Sequence, residues 1–245
     1  MKQTNTQTDT KGISGCWLKM IAMITMLIDH TAVVLIAPFR SLTPLYVGMR
    51  VIGRLAFPIY CFLLVEGFFH TRSRAKYAGR LFLFAIISEI PFDLAFSQKV
   101  WDFSYNNVFF TLLIGLLVIW GMDALAHRIT EEKYKGVAKV LRSSMMIAVL
   151  CGGCFLAGIL NTDYSAVGIL AIFAIYMVRD SRMMGSAIAI TILGLLASFI
   201  EFVALFDLIP IYFYNGTGGK QIKYFFYAFY PVHLLILAGI ALIAF

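Results

Sequence analysis

Charged residues are scarce in this chain. Asp, Glu, Lys and Arg together make up 13% of its 245 residues, about half of the ~25% that is usual in soluble domains. Hydrophobic residues make up 61%. So few charges could not cover the surface of a protein in water. This excludes a soluble enzyme, a disordered or fibrous protein and a nucleic-acid-binding module, and it favours an integral membrane protein.

Cysteine frameworks, internal repeats and a cleavable signal sequence are also missing. Cys151 and Cys154 form one Cys-x-x-Cys pair, but they lie in an apolar run without a second pair or a nearby histidine. We interpret them as close helix packing, not as a metal site or a disulfide. The first apolar run ends at Ala37-Pro38 without a cleavage pattern, which predicts a retained span. We expect a polar cytoplasmic tail over residues 1–16 and a single membrane domain over residues 17–245.

Long apolar runs predict an all-helical bundle, because each bilayer crossing takes about 20 residues of helix. We interpret eight runs as spans, and the sixth, which is short, could be a tilted or partly re-entrant helix. The predicted spans are Trp17–Ala37, Pro44–Phe69, Tyr77–Phe96, Val108–Leu125, Val140–Leu160, Tyr164–Val178, Met183–Phe206 and Ile222–Ala244.

The distribution of basic residues predicts the orientation of the bundle. With the N-terminus inside, fourteen Lys and Arg residues fall in inner segments and four in outer loops, namely Arg40, Lys99, Lys220 and Lys223. Cytoplasmic loops of membrane proteins carry such an excess of positive charge. We therefore expect both termini to be cytoplasmic and the number of spans to be even.

Several ionisable residues fall inside the predicted spans, where a charge is costly and usually functional. They are Asp29, Arg50, Arg54, Glu66 and Glu89, together with His30 and His233. At ~1.5 Å of rise per residue, His30 and His233 both lie roughly 15 Å deep. A plainer interpretation is that an Asp29–Arg54 or Glu89–Arg54 pair only holds helices together. Asp29 points ~100° away from His30 on the helix, so a residue from another span would orient His30 better.

A basic cluster follows the second predicted span. It consists of Arg72, Arg74, Lys76 and Arg80. The cluster is explained either as a positive-inside signal or as a binding site for the phosphates of a cytoplasmic ligand.

Nine short motifs occur in a fixed order along the chain. They are Leu18–His30, Arg50–Pro58, Leu64–Arg72, Ser88–Asp93, Asn107–Thr111, Thr162–Tyr164, Tyr214–Gly216, Lys223–Tyr227 and Tyr230–His233. With these motifs the sequence resembles the TraX family over residues 17–240. This family of membrane proteins is named after the enzyme that acetylates the N-terminus of F-type conjugative pilin. One departure is Thr217-Gly218-Gly219, which stands where relatives often have a Lys-Arg pair.

The resemblance implies a multi-pass protein of the bacterial cytoplasmic membrane that transfers acetyl from cytoplasmic acetyl-CoA. TraX proteins are also distantly similar to the acyltransferase-three superfamily, which uses an acyl-CoA and a membrane-embedded histidine. The acceptor would be an amine, more readily than a hydroxyl, such as a small molecule or the N-terminus of a peptide or pilin-like protein. No metal or nucleic acid is implied, and a homodimer stays open.

Residue roles follow from this resemblance. His30 and His233 are the two histidines deep in a span, and we prefer His30 as the general base because the family-like motif surrounds it. Asp29, Arg54 and His233 would assist it. The phosphates of CoA would be held by Arg72, Arg74, Lys76 and Arg80, with Lys133 or Arg179 as helpers. Substrate would be bound by Glu66, Glu89, Asp93, Asp163, Tyr164 and Tyr230.

Two other functions stay open on the sequence. The buried carboxylates Asp29, Glu66 and Glu89 could carry protons in a proton-coupled secondary transporter. The chain shows no inverted repeat of the kind that many transporters have. A non-catalytic membrane assembly factor is the other alternative.

Overall fold

The computed structural model describes residues 12–130, 134–220 and 223–244, and every helix or strand element that it assigns there is helical. This confirms the all-helical prediction. Most of the predicted polar tail, residues 1–11, and Lys133 lie outside the described residues. The helices are α1 (Gly15–Thr31), α2 (Thr43–Gly53), α3 (Ala56–His70), α4 (Arg74–Phe96), α5 (Val108–Arg128), α6 (Ala138–Ile159), α7 (Ser165–Met177), α8 (Arg182–Leu196), α9 (Leu208–Tyr212) and α10 (Lys223–Ala244). A π-helical turn, Ala32–Ile36, extends α1, and 3₁₀ segments cover Arg40–Leu42 and Phe199–Asp207.

Five helical stretches in the described part of the chain are long and apolar enough to cross a membrane. Their outward faces carry large apolar side chains, such as Ile147 and Phe155 on α6, which are 60% and 70% exposed. Such faces need lipid to cover them, so the protein is a membrane protein. The five stretches are Gly15–Ile36, Arg40–His70, Val108–Arg128, Ala138–Ile159 and Tyr224–Ala244; α7 and α8 are shorter apolar helices.

The second predicted span is broken into α2 and α3 at Arg54 and Leu55. Proline explains the position of the break, because Pro58 has no N–H to bond the carbonyl of residue 54 and is tolerated only in the first turn of a helix. The backbone N–H groups of Arg54 and Leu55 bond instead to carbonyls three residues earlier. The absent side chain of Gly53 leaves room for the carboxylate of Asp29, which a Cβ atom would overlap. The break thus brings α2 against α1 at Asp29.

The seventh predicted span, Met183–Phe206, is wrong in its second half. Helix α8 ends at Leu196, and the 3₁₀ segment Phe199–Asp207 with α9 then turns back along the bundle. Near its start the ring of Phe202 packs on Gly194 at the end of α8. Just after its end Arg182, at the start of α8, donates a 2.5 Å hydrogen bond to the carbonyl of Tyr214. The returning segment therefore spans the same depth as α8.

This return reverses the direction of the last helix. The loop after α9 pairs with the start of α1, where the N–H of Gly15 donates to the carbonyl of Thr217 at 2.8 Å. Helix α10 then runs parallel to α1, since Lys19 lies 5.3 Å from the ring centroid of Phe226 and His30 bonds His233 further along. Lys220 and the start of α10 lie at the end of the bundle where α1 begins. The prediction that both termini lie on one side is therefore wrong for the described residues.

The corrected path concentrates positive charge at one end of the bundle, which we call the basic end. In the described chain only Arg40 and Lys99 belong to the opposite end, which sharpens the positive-inside asymmetry. The basic end carries Lys19, Arg72, Arg74, Lys76, Arg80, Arg128, Lys135, Lys139, Arg142, Arg179, Arg182 and Lys220.

Cysteine accessibility will test this path. In a background without native cysteines, Lys135→Cys marks the basic end and Ile243→Cys marks the end of α10. We expect a membrane-impermeant maleimide to label the two variants from opposite sides of sealed membranes, because α10 runs parallel to α1. Labelling of both from the same side would contradict the path. Gly136→Cys, next to Lys135, serves as a second marker for the basic end.

Candidate functional site

His30 of α1 and His233 of α10 meet in the interior of the bundle. Nδ1 of His30 lies 2.7 Å from Nε2 of His233, and Nδ1 of His233 lies 2.8 Å from the backbone carbonyl of Phe229. The ring planes agree within 8° with centroids 5.0 Å apart, as in two imidazoles joined edge to edge by one N–H···N bond. The predicted pair of deep histidines therefore shares a direct hydrogen bond.

The carbonyl of Phe229 determines where the protons lie. A carbonyl only accepts, so His233 donates from Nδ1, and neutral His233 then has an unprotonated Nε2. That nitrogen accepts from Nδ1–H of His30, which leaves Nε2 of His30 with a free lone pair. The arrangement holds His30 in the tautomer that a general base requires.

A network of charged side chains lies close to these histidines. Arg54 donates to Asp29 at 2.8 Å and to Glu201 at 2.9 Å, and Arg50 donates to Asp29 at 2.5 Å. The anticipated Asp29–Arg54 pair therefore exists, and Asp29 is engaged with two arginines and not with His30. Glu201, which was not among the predicted site residues, also belongs to this network; it is 2% exposed and comes from the returning segment.

Arg54 and Arg50 differ in how many of their side-chain N–H groups already donate hydrogen bonds. Arg54 also donates to the carbonyl of Arg50 and to the hydroxyl of Tyr164, so few of its N–H groups remain for a ligand. Arg50 is 28% exposed, and its guanidinium donates to Asp29. Arg50, which sequence reasoning left out of the site, is better placed than Arg54 to stabilise a developing negative charge.

Two loops at the end opposite the basic end close over this network. The hydroxyl of Tyr105 donates to Asp163 at 2.5 Å, and burial raises the pKa of the Asp163 carboxyl. The backbone N–H of Asp163 donates in turn to the carbonyl of Asn106. Tyr164 stacks on Phe57 at 3.7 Å between ring centroids. Asp163 and Tyr164 thus join the site, and Tyr105 is a member that sequence reasoning missed.

Glu89 and Asp93 lie on α4 with their carboxylates buried. The side-chain amide and backbone N–H of Asn107 donate to Glu89, so the alternative of a Glu89–Arg54 pair does not hold. Asp93 accepts from the backbone N–H of Asp102 at 2.8 Å. Each carboxylate keeps one buried oxygen without a hydrogen-bond partner. In the described residues no group of three or more His, Cys, Asp or Glu side chains could hold a metal ion.

A cavity of about 400 Å³ lies between the basic end and the histidine pair. Glu66, Lys19 and Arg80 line it near the basic end, and Tyr230 lines its deep part. The Tyr230 ring centroid is 5.9 Å from that of His30 and 5.6 Å from that of His233. Tyr230 therefore separates the cavity from the histidines and contacts both.

The four residues of the predicted phosphate-binding cluster do not share one site in the structure. Arg80 lines the cavity, whereas Arg74 pairs with Asp123 at 2.6 Å and covers the ring of Phe68. Arg72 and Lys76 are exposed at the basic end and are not among the cavity-lining residues. Arg179, named as a helper, covers the ring of Phe69.

The sequence pattern of TraX proteins matches residues 14–241, which include α1, all but the last three residues of α10 and every helix between them. The chain belongs to the TraX family. The match to TraX covers both histidines, the Asp29 network and the cavity.

Two curated relatives are similar to this TraX chain. A probable fimbrial assembly protein, FimC of serogroup H1 from Dichelobacter nodosus, is 31% identical over 92% of this chain and 95% of its own length. An uncharacterised protein of Rickettsia prowazekii (strain Madrid E) is 29% identical over 50% of this chain and 42% of its own length. No solved structure matches the chain.

Proposed function

We propose that this TraX protein is an acyltransferase of the bacterial cytoplasmic membrane. It would transfer acetyl from cytoplasmic acetyl-CoA to an amine acceptor, with His30 as the general base and the basic end facing the cytoplasm. The observation that carries the proposal is the cavity between the basic end and Tyr230, which contacts both histidines. A thioester carried in from the cytoplasm through this cavity would reach Tyr230, whose ring lies against both histidines.

The chemistry needs one proton acceptor and one group for the oxyanion. The amine nitrogen attacks the thioester carbonyl carbon while Nε2 of His30 takes a proton from that nitrogen. The C–N bond forms, the C–S bond breaks, and the CoA thiolate leaves and takes the proton from His30. Arg50 or the hydroxyl of Tyr230 would stabilise the negative oxygen that develops on the carbonyl. The hydrogen bond to His233 stabilises the imidazolium form of His30 during the step.

A non-catalytic assembly factor is the second candidate function. The observation in its favour is the name of the Dichelobacter nodosus relative, a probable fimbrial assembly protein. The two candidates differ in one respect: only the acyltransferase forms a new covalent bond on its acceptor. The proton-coupled transporter has no comparable observation behind it.

An acyl-transfer assay separates these candidates. Purified protein in lipid nanodiscs is mixed with acetyl-CoA and a pilin-like peptide that has a free N-terminus. We expect release of the CoA thiol together with a peptide that has gained one acetyl group, detected by mass spectrometry. A peptide with a blocked N-terminus and no lysine is the control. An unmodified free-amine peptide and no thiol release, with protein that still binds the peptide, would favour the assembly factor.

A further inference from the structure

Two cations line the part of the cavity nearest the basic end. Lys19 of α1 and Arg80 of α4 both line it, and Arg80 lies with its guanidinium 5.6 Å from the ring centroid of Tyr77. The Nε atom of Arg80 is buried and has no hydrogen-bond partner. A buried N–H donor on a cationic group without a partner is costly, and an anion in the cavity would provide one.

The acidic group in this part of the cavity is already engaged. The carboxylate of Glu66 lies 4.0 Å from Nδ1 of His70 and also bonds the hydroxyl of Tyr214. One carboxylate in this part of the cavity is outweighed by two cations. Lys19 and Arg80 therefore give this part of the cavity a positive potential.

A glycine-rich loop forms the wall beside these cations. Gly216 and Gly218 line the cavity together with Gly15, and Gly216 has a positive φ of 76° that favours glycine. The loop is held in place by hydrogen bonds to the start of α1, including Asn215 N–H to the carbonyl of Ile13 at 2.9 Å. Without side chains at these positions, a ligand can approach the backbone closely, as in loops that bind phosphates.

The distance along α1 from Lys19 to His30 matches the length of the pantetheine arm of CoA. Lys19 and His30 are eleven residues apart on the same helix, which is ~16 Å of axial rise. The pantetheine arm of CoA has about thirteen bonds between its phosphorus and its sulfur, equivalent to a little over four residues of extended peptide or ~15 Å. A phosphate held at Lys19 would therefore place the thioester at the depth of His30.

We infer that Lys19, Arg80 and the backbone of Gly216–Gly218 form the binding site for the diphosphate of the acyl-CoA donor. The inference rests on the proposed function. It replaces the predicted cluster, of which only Arg80 remains, and it adds a residue of the first helix and a loop that the sequence placed on the far side of the membrane.

Equilibrium binding to the full chain in nanodiscs tests this site, with CoA, ADP and pantetheine as separate probes. ADP carries the diphosphate without the arm, and pantetheine carries the arm without the phosphates. In Lys19→Gln with Arg80→Gln we expect the Kd for CoA to rise at least about tenfold, because hydrogen bonds to charged groups are lost. ADP should lose affinity similarly, while pantetheine binding changes less than about twofold. Arg80→Lys, which keeps the charge, should recover part of the CoA affinity.

The controls separate this inference from the proposed function. Lys139→Gln removes an exposed cation from the same end of the bundle and should leave CoA binding unchanged. Unchanged CoA binding in the double variant, or an equal loss of pantetheine binding, overturns the phosphate site even if acetyl transfer is observed. Phosphate-dependent CoA binding without any acetyl transfer leaves the site standing and overturns the enzyme.

Discussion

His30→Gln should leave a folded protein that still binds CoA but transfers acetyl at least about a hundredfold more slowly. A positioned general base contributes 10²–10⁴-fold to a rate, and His30 carries the free imidazole nitrogen of the pair. Glutamine preserves size and can still hydrogen-bond His233, but it cannot take a proton near neutral pH. The measurement is kcat for acetyl transfer, with CoA affinity as the check on folding.

His233 supplies the matched comparison. Because it acts on His30 and not on the substrate, we expect His233→Leu to slow transfer about 10- to 100-fold, as for groups that orient a neighbouring ligand or base. His233→Gln should do less harm, since its amide oxygen can accept from His30. An inactive His233→Gln beside an active His30→Gln would reverse the two roles. If both variants stay active, the base lies elsewhere, with Glu66 and Glu89 as the next groups to test.

Arg54→Met should destabilise the protein by about 3–5 kcal/mol, the usual cost of removing one partner from a buried ion pair. Arg54 is 13% exposed and bonds both Asp29 and Glu201, so its loss leaves the charge on Glu201 buried without a partner. The measurement is a shift in thermal unfolding in nanodiscs, followed by the fluorescence of the native tryptophans. A transition unchanged from wild type would contradict this structural role.

Two variants show whether the loss comes from the buried charge. Adding Glu201→Gln to Arg54→Met should recover part of the stability, because the stranded carboxylate is then neutral. Arg50→Met removes an arginine that is 28% exposed and whose side chain, among the residues that the structure describes, bonds Asp29. We expect it to reduce stability less than Arg54→Met and to reduce kcat more than it changes the affinity for CoA.

The sequence predicted most of the helices, including α4 with its buried Glu89 and Asp93, and failed at the segment that returns after α8. The segment over Phe199–Tyr212 carries Glu201, Asp207 and Pro210, which resemble a loop. Glu201 is compatible with the interior because Arg54, 147 residues earlier in the chain, neutralises it. No sequence pattern near Glu201 predicts a partner so distant in the chain. The break at Arg54 could have been predicted from the sequence, because Pro58 lies four residues later and cannot bond the carbonyl of residue 54.

The common depth of His30 and His233 was predicted for a reason that tolerated an error. His233 lies near the middle of α10, so its estimated depth is the same whether the helix enters from one side or the other. The direction of α10 was wrong and the depth was still right. The position of the glycine-rich loop did depend on the direction of α10, because reversing α10 moves this loop from one end of the bundle to the other.

The bond between the first and last described helices has a consequence for how the protein is made. His30 and His233 are 203 positions apart, and a ribosome adds about 5–20 residues each second. His30 therefore waits roughly 10–40 s in the bilayer, on that synthesis rate, before its partner exists. A chain whose synthesis ends before α10 would have most of its helices, but His30 would lack the partner that orients it, so the site is complete only when synthesis is nearly finished.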